Sequence, residues 1–396
     1  LFWQGQCFFE LKDYESAMNL YQQLIEKYPA SKYVSDAYYS IAWCFYQMQQ
    51  YDMAIDMFKK LVSGSSSSEA AINAEFDIGK CYFAMQKYEE ALMCLENFLK
   101  EHPLSPKREQ VENLIANCAF EKGEYQTAIQ YYENILNIDP HAKDISETLY
   151  RIGESYYRMS DYKTAIKYFE RSKEKTADKE LMAACLFKVG HSCLKDKDYK
   201  KALEAFNDIA DHYQDTARYE EVFYWIGEVY YRTKEYDTAV DVYQKALSYI
   251  KDEDLQHSIH YNMGWIYAHK KEYAKAIDEF DHVLNKSSNE TMIVNTLCKI
   301  AQMQKEQKQY RSAVQTYDRI LTYYPKNPLI DYVQYEVASV LSLQGNIDSA
   351  IMALQALIIN FPKSRFMDKA VYKLGILYEK KGNLQSAAEQ FLKDRK

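Results

Sequence analysis

The residues that punctuate loops are scarce in this chain: 11 Gly and 7 Pro in 396 residues. No Val/Thr-rich alternating run bounded by turn residues occurs, so strands are hard to place and the composition reads as helical. No apolar stretch approaches the roughly 18 residues that a membrane-spanning helix requires. Also missing is a basic stripe. The 49 Lys and Arg are mixed with 57 Asp and Glu, and no row of cations stands ready to neutralise phosphates, which argues against nucleic acid as a partner. Catalytic signatures are absent as well, with no glycine-rich phosphate loop, no Gly-x-Ser-x-Gly elbow and no kinase motif. His257 and His260 lie three apart with His269 further on, but no carboxylate completes a metalloprotease motif and no Cys pair has zinc-finger spacing. The sequence therefore offers no catalytic residue, no metal site and no cofactor site.

What is present is a period. Alanine recurs at 17, 54, 91, 128, 165, 202, 239, 276, 313, 350 and 387, always 37 apart. Twelve residues before each alanine stands a second small residue: Gly in seven units (Gly5, Gly79, Gly153, Gly190, Gly227, Gly264, Gly375) and Ala in four (Ala42, Ala116, Ala301, Ala338). Three before the alanine comes Tyr in nine units, from Tyr14 to Tyr310, then Ile347 and Leu384. Four after it comes a bulky apolar residue such as Tyr21, Phe58, Tyr132, Phe169, Phe206, Phe280 or Phe391. Each unit thus predicts two amphipathic helices, the first carrying the Gly/Ala and the second starting near Tyr. Small residues where helices cross permit the short end of the roughly 8–10 Å interaxial range, with Gly expected to face Ala. Pro29, Pro103, Pro140, Pro325 and Pro362 share one phase, where the second helix should stop. Two residues on, Ser31, Ser68, Ser105, Thr216, Asn327 and Ser364 are expected N-caps, with Pro106 and Pro328 at the first helical position.

Small residue, aromatic three later, Ala twelve on, then aromatic and Pro resembles the tetratricopeptide repeat (TPR), and Gly153, Tyr156, Ala165 and Phe169 show it well. The usual period of that family is about 34 residues. The extra three fall between the Pro and the Gly, where the cap positions predict a first helix longer by nearly one turn. This longer form, with segments such as Tyr28-Pro29-Ala30-Ser31-Lys32-Tyr33, resembles bacterial cell-envelope TPR proteins, including Tol-Pal-associated and outer-membrane-barrel-assembly lipoproteins. The resemblance implies an all-α, right-handed superhelical solenoid of about eleven helix-turn-helix repeats, about 22 helices, the first and last incomplete. Its units would run 1–31, 32–68, 69–105, 106–142, 143–179, 180–216, 217–253, 254–290, 291–327, 328–364 and 365–396. One domain, 1–396, is expected, with the Gly64–Ser68 run an ordinary inter-repeat loop.

The resemblance also implies that first helices line a concave face where protein segments bind. Three residues before the small marker lie Tyr39, Phe76, Tyr150, Tyr224 and Tyr261; seven further on, on the same helix face, lie Tyr46, Phe83, Phe120, Tyr157 and Tyr231. Trp43 and Trp265 sit between the two stripes. The second stripe lapses after Tyr231 into Ala268, Lys305, Ser342 and Glu379. These twelve aromatics are the candidate partner-binding groove, because Tyr and Trp dominate interface energetics. Packing between neighbouring first helices is the competing reading. A chaperone-type carboxylate clamp is not expected: Asn113 and Asn117 have its spacing without its charge, and Lys369 and Lys373 lack an upstream Lys/Asn pair.

Cys7, Cys44, Cys81 and Cys118 share one phase. Stacked units hold equivalent Cα atoms further apart than the roughly 7 Å a disulfide permits, so these are expected to be small buried fillers. Unpaired cysteines favour a reducing compartment, the resemblance favours the cell envelope, and localisation stays open between them. The chain opens on Leu1, partway through a predicted helix, so a preceding leader or lipid anchor also stays open. The resulting expectation is a non-enzymatic scaffold binding protein segments and organising a complex, or the adaptor arm of a larger enzyme, secretion or motility machine, or a solenoid self-associating through its ends.

Overall fold

The computed structural model describes residues 1–64, 68–138, 144–286 and 288–393. Among these the chain forms 22 α-helices and no strand. First helices are α1 (Phe2–Glu10), α3 (Val34–Gln47), α5 (Glu69–Ala84), α7 (Arg108–Glu121), α9 (Ile145–Arg158), α11 (Lys179–Lys195), α13 (Tyr219–Arg232), α15 (Glu253–His269), α17 (Glu290–Glu306), α19 (Ile330–Gln344) and α21 (Met367–Lys380). Second helices are α2 (Tyr14–Lys27), α4 (Tyr51–Gly64), α6 (Tyr88–Glu101), α8 (Tyr125–Ile138), α10 (Tyr162–Lys175), α12 (Tyr199–His212), α14 (Tyr236–Leu247), α16 (Tyr273–Lys286), α18 (Tyr310–Tyr323), α20 (Ile347–Asn360) and α22 (Leu384–Lys393). The expected all-α TPR architecture of about eleven helix pairs is the one observed. The chain divides into two compact units, Leu1–Arg218 and Tyr219–Lys396.

Each hairpin closes the same way. The first helix ends in a residue with positive φ five before the marker alanine: Gly123, Gly345 and Gly382 in three repeats, and Lys12, Gln49, Gln86, Ser160, Lys197, Lys234, Lys271 and Lys308 in the other eight. Around it runs a Schellman pair, for example Asp13 N–H to Phe8 C=O and Lys12 N–H to Phe9 C=O, both 2.9 Å. The next residue takes the N-cap position of the second helix, and in some repeats its side chain caps it. Asp13, Asp161 and Asp198 accept from the backbone N–H three residues on, at 3.1, 3.2 and 3.3 Å. The tyrosine of the repeat is therefore the first residue of the second helix.

The core is a series rather than a centre. One cluster joins Ala42, Ala54, Phe58 and Leu61 to Ala74, Ile78 and Cys81 of the next repeat, and another joins Ala301, Ala313 and Tyr317 to Val333 and Val337. Such an array is stabilised by nearest-neighbour contacts. The glycine's counterpart at the crossing is the ring four after the alanine, in place of the alanine expected. A Cβ on Gly153, Gly190 or Gly227 would lie 2.7, 2.4 and 2.4 Å from the rings of Phe169, Phe206 and Tyr243. The ring occupies the space that the missing side chain leaves.

Between repeats the extra three residues take two forms. After Pro29, Pro103, Pro325 and Pro362 they make a turn. Ser31, Ser105, Asn327 and Ser364 accept from the N–H two residues on (3.3, 3.2, 3.1 and 3.0 Å), and the first helix starts three residues after them. These four residues, and Thr216, are thus not the caps that sequence spacing predicted, and Pro106 and Pro328 precede their helices; the local Ser/Asn turn wins over helix extension. Elsewhere the predicted lengthening does occur: α11, α15 and α17 have 17 residues and begin at the capping side chains of Asp178, Asp252 and Asn289. Ser68 caps α5 as expected, accepting from Ala71 N–H at 3.1 Å. Pro140 and residues 65–67 of the Gly64–Ser68 run lie outside the described residues.

Candidate partner-binding face

First helices of neighbouring repeats come into contact within each unit, as α3 with α5, α5 with α7 and α9 with α11 in the first, and α13 with α15 in the second. This puts the first-helix face on the inner side of each stack, where the two aromatic stripes lie.

In Leu1–Arg218 the first stripe rests on the second helix of its own repeat, with Tyr39 5.6 Å from Phe58, Phe76 6.2 Å from Phe98 and Tyr150 5.4 Å from Phe169. The second stripe rests on the tyrosine that opens that helix: Tyr46 on Tyr51 (5.3 Å), Phe83 on Tyr88 (5.7 Å), Phe120 on Tyr125 (5.4 Å) and Tyr157 on Tyr162 (5.5 Å). In Tyr219–Lys396 the rule repeats, with Tyr224 on Tyr243 (6.1 Å), Tyr231 on Tyr236 (6.1 Å) and Tyr261 on Phe280 (5.7 Å). The stripes therefore pack inside each hairpin. Phe76 is 2% exposed and belongs to the core, whereas the other eleven candidates are half-buried and present part of their surface to solvent.

Trp43 lies 6.5 Å from Tyr39 and 4.9 Å from Tyr46, bridging the two stripes, and Trp265 lies 6.4 Å from Tyr261. Cations that sequence reasoning passed over sit on these rings. Lys80 Nζ is 4.6 Å from the Phe76 centroid and 5.3 Å from that of Trp43, Lys188 is 5.6 Å from Tyr157, and Lys299 is 4.0 Å from Trp265. They stand one residue after the small marker or two before it, a spacing that places them on the same face and could have flagged them. Lys80 also pairs with buried Asp77 at 3.1 Å, and Asp77 accepts the Tyr39 hydroxyl at 2.5 Å. Burial, with Asp77 next in weight, raises the Tyr39 phenol well above its ordinary range and keeps it a donor. Asn113 and Asn117 are engaged internally, bonded to each other at 2.9 Å while Asn117 accepts the Tyr132 hydroxyl at 2.6 Å.

Cys44, Cys81 and Cys118 are fully buried and unpaired, with thiols pushed up to about 12 by burial, while Cys7 is exposed. His257 is buried and His260 pairs with Glu279 at 2.7 Å. Among the described residues no group of His, Cys, Asp or Glu is placed to hold a metal ion, and no helix is long and apolar enough to cross a membrane.

No curated protein sequence matches the chain. Among solved structures it is similar to the C-terminal part of a TPR repeat-containing protein from Cytophaga hutchinsonii (18% identity over 74% of this chain and 98% of that one, TM-score 0.47). It is also similar to a tetratricopeptide repeat protein from Parabacteroides merdae (17% identity, 70% and 96%, TM-score 0.45) and to the APC/C hetero-tetramer Cut9-Hcn1 (14% identity, 95% and 89%, TM-score 0.39). A family model described as anaphase-promoting complex, cyclosome, subunit 3 matches residues 23–98. Models described as tetratricopeptide repeat match 1–31, 107–174, 144–215, 190–254, 257–285, 297–327 and 338–395, together more than half of the chain. With helix pairs and small-residue crossings in agreement with these tetratricopeptide repeat models, the chain belongs to the tetratricopeptide repeat family.

Proposed function

We propose that the chain is a non-enzymatic scaffold that holds segments of partner proteins on its first-helix face and so organises a multiprotein complex. The observation that carries this reading is the row of half-buried rings on that face, several with a lysine ammonium over them. Such amphipathic, preorganised aromatics bind at low entropic cost, and the lysines complement acidic or polar segments. The 37-residue phase passes through Arg218–Tyr219 without insertion, which supports reading 1–396 as one array. Its longer repeat, similar to that of cell-envelope TPR proteins, favours an assembly role in that setting.

Truncating Tyr39, Tyr46 and Phe83 is a poor test, because all three support their own hairpins. A recess of about 350 Å³ between Lys80, Gln110, Asn113 and Thr148 offers a better one. Gln110 is exposed, so Gln110→Trp blocks the recess while removing no packing. Proteins captured by the wild-type chain and identified by mass spectrometry should include some that Gln110→Trp no longer retains, with the melting temperature unchanged. An identical captured set for wild type and for a second blocking variant, Asn113→Trp, overturns the reading.

A further inference from the structure

A ring that six repeats carry is missing from the other five, where Leu194, Ala268, Lys305, Ser342 and Glu379 take its place. In six repeats the residue four after the small marker is aromatic and lies 5.3–6.1 Å from the tyrosine opening the second helix, as with Tyr46 on Tyr51 and Tyr231 on Tyr236. In the eighth repeat that position is Ala268. Tyr273 consequently has no ring partner among the described residues, and a cavity of about 210 Å³ opens where the ring would lie. Trp265, Ala268, Tyr273, Phe280 and Met303 supply apolar wall, and Lys299 reaches it from the next repeat. A cavity of about 150 Å³ suffices for benzene, so one aromatic ring fits.

We propose that this cavity receives one aromatic side chain of a bound protein segment, with a carboxylate beside that ring held by the Lys299 ammonium. The proposal rests on the reading of the first-helix face as a binding surface and names what one part of it takes. Lys299 Nζ lies 4.0 Å from the Trp265 centroid and donates to Gln302 Oε1 at 3.4 Å, while no described carboxylate comes within ion-pair distance of it. Burial also holds this amine below its ordinary range. A partly desolvated, unpaired cation gains more from an incoming carboxylate than a solvated one does. Glu306, also on the wall, directs that carboxylate to the Lys299 side.

The test uses the full chain and two small probes, phenylacetate and phenylacetamide, followed by saturation-transfer NMR and by the indole N–H resonance of Trp265. Both should saturate, with phenylacetate bound roughly threefold more tightly. Ala268→Phe supplies the missing ring within the chain. It should weaken both probes about tenfold or more and raise the melting temperature, and Ala268→Leu should do the same in part. Lys299→Gln should make the two probes equal. The proposal is overturned if neither probe saturates, if Ala268→Phe leaves their affinities unchanged, or if wild type already binds both equally. Failure here leaves the scaffold reading intact, because that reading is tested by Gln110→Trp in α7.

Discussion

Eight of the eleven hairpin turns place an L-residue with a side chain in the left-handed region, five of them lysine: Lys12, Lys197, Lys234, Lys271 and Lys308. That conformation costs such residues roughly 1–2 kcal/mol, offset in part by the chain entropy that glycine would lose on folding. Lys197→Gly and Lys271→Gly should each raise stability by about 0.5–1 kcal/mol in denaturant titrations, and additively, since the sites are two repeats apart. The marker alanines behave oppositely. Ala165 has no exposed surface, and Ala165→Leu should cost about 1–3 kcal/mol by overpacking the crossing; an unchanged melting temperature would mean that the site relaxes freely.

At the level of the helix, most of the plan was legible because a small residue, a tyrosine and an alanine at fixed spacing specify both helices and their crossing. What the spacing misplaced was the start of the first helix. Ser31 and Ser364 have the chemistry of caps, but the same oxygen can close a tight turn two residues on, and periodicity does not distinguish the two. A partial cue does exist: where Asp178, Asp252 or Asn289 stands thirteen after the marker alanine and no proline stands twelve after it, the helix begins there, although Asp215 meets the same condition and α13 begins only at Tyr219. Asp252 accepts from Leu255 N–H at 3.1 Å, so Asp252→Ala should destabilise by about 1 kcal/mol, with faster amide exchange confined to the first turn of α15. The aromatic stripes were legible as a surface feature, while their partners were not, since the pairing of Tyr46 with Tyr51 depends on the angle of a turn whose left-handed residue is Gln49 there and glycine in only three of the eleven hairpins.

Across the whole molecule, burial is spread over many equivalent sites, and so is its sensitivity to base. The thiols of Cys44, Cys81, Cys118 and Cys298 are pushed up to about 12, and those of Cys185 and Cys193 to about 11, by burial. Folded values above the unfolded one mean that stability is fully present below pH 9 and is lost as pH climbs toward 11–12, by up to about 1.4 kcal/mol per thiol for each pH unit. Alkaline melting curves should therefore fall steeply above pH 9, and replacing Cys44, Cys81 and Cys118 with Ala should flatten the fall.

A core built as a chain of neighbour contacts has an evolutionary consequence. An in-frame duplication or loss of one whole period leaves every surviving junction with the chemistry it had before. Reach, and the number of docking positions offered, can thus drift from one descendant to the next without the fold being solved anew.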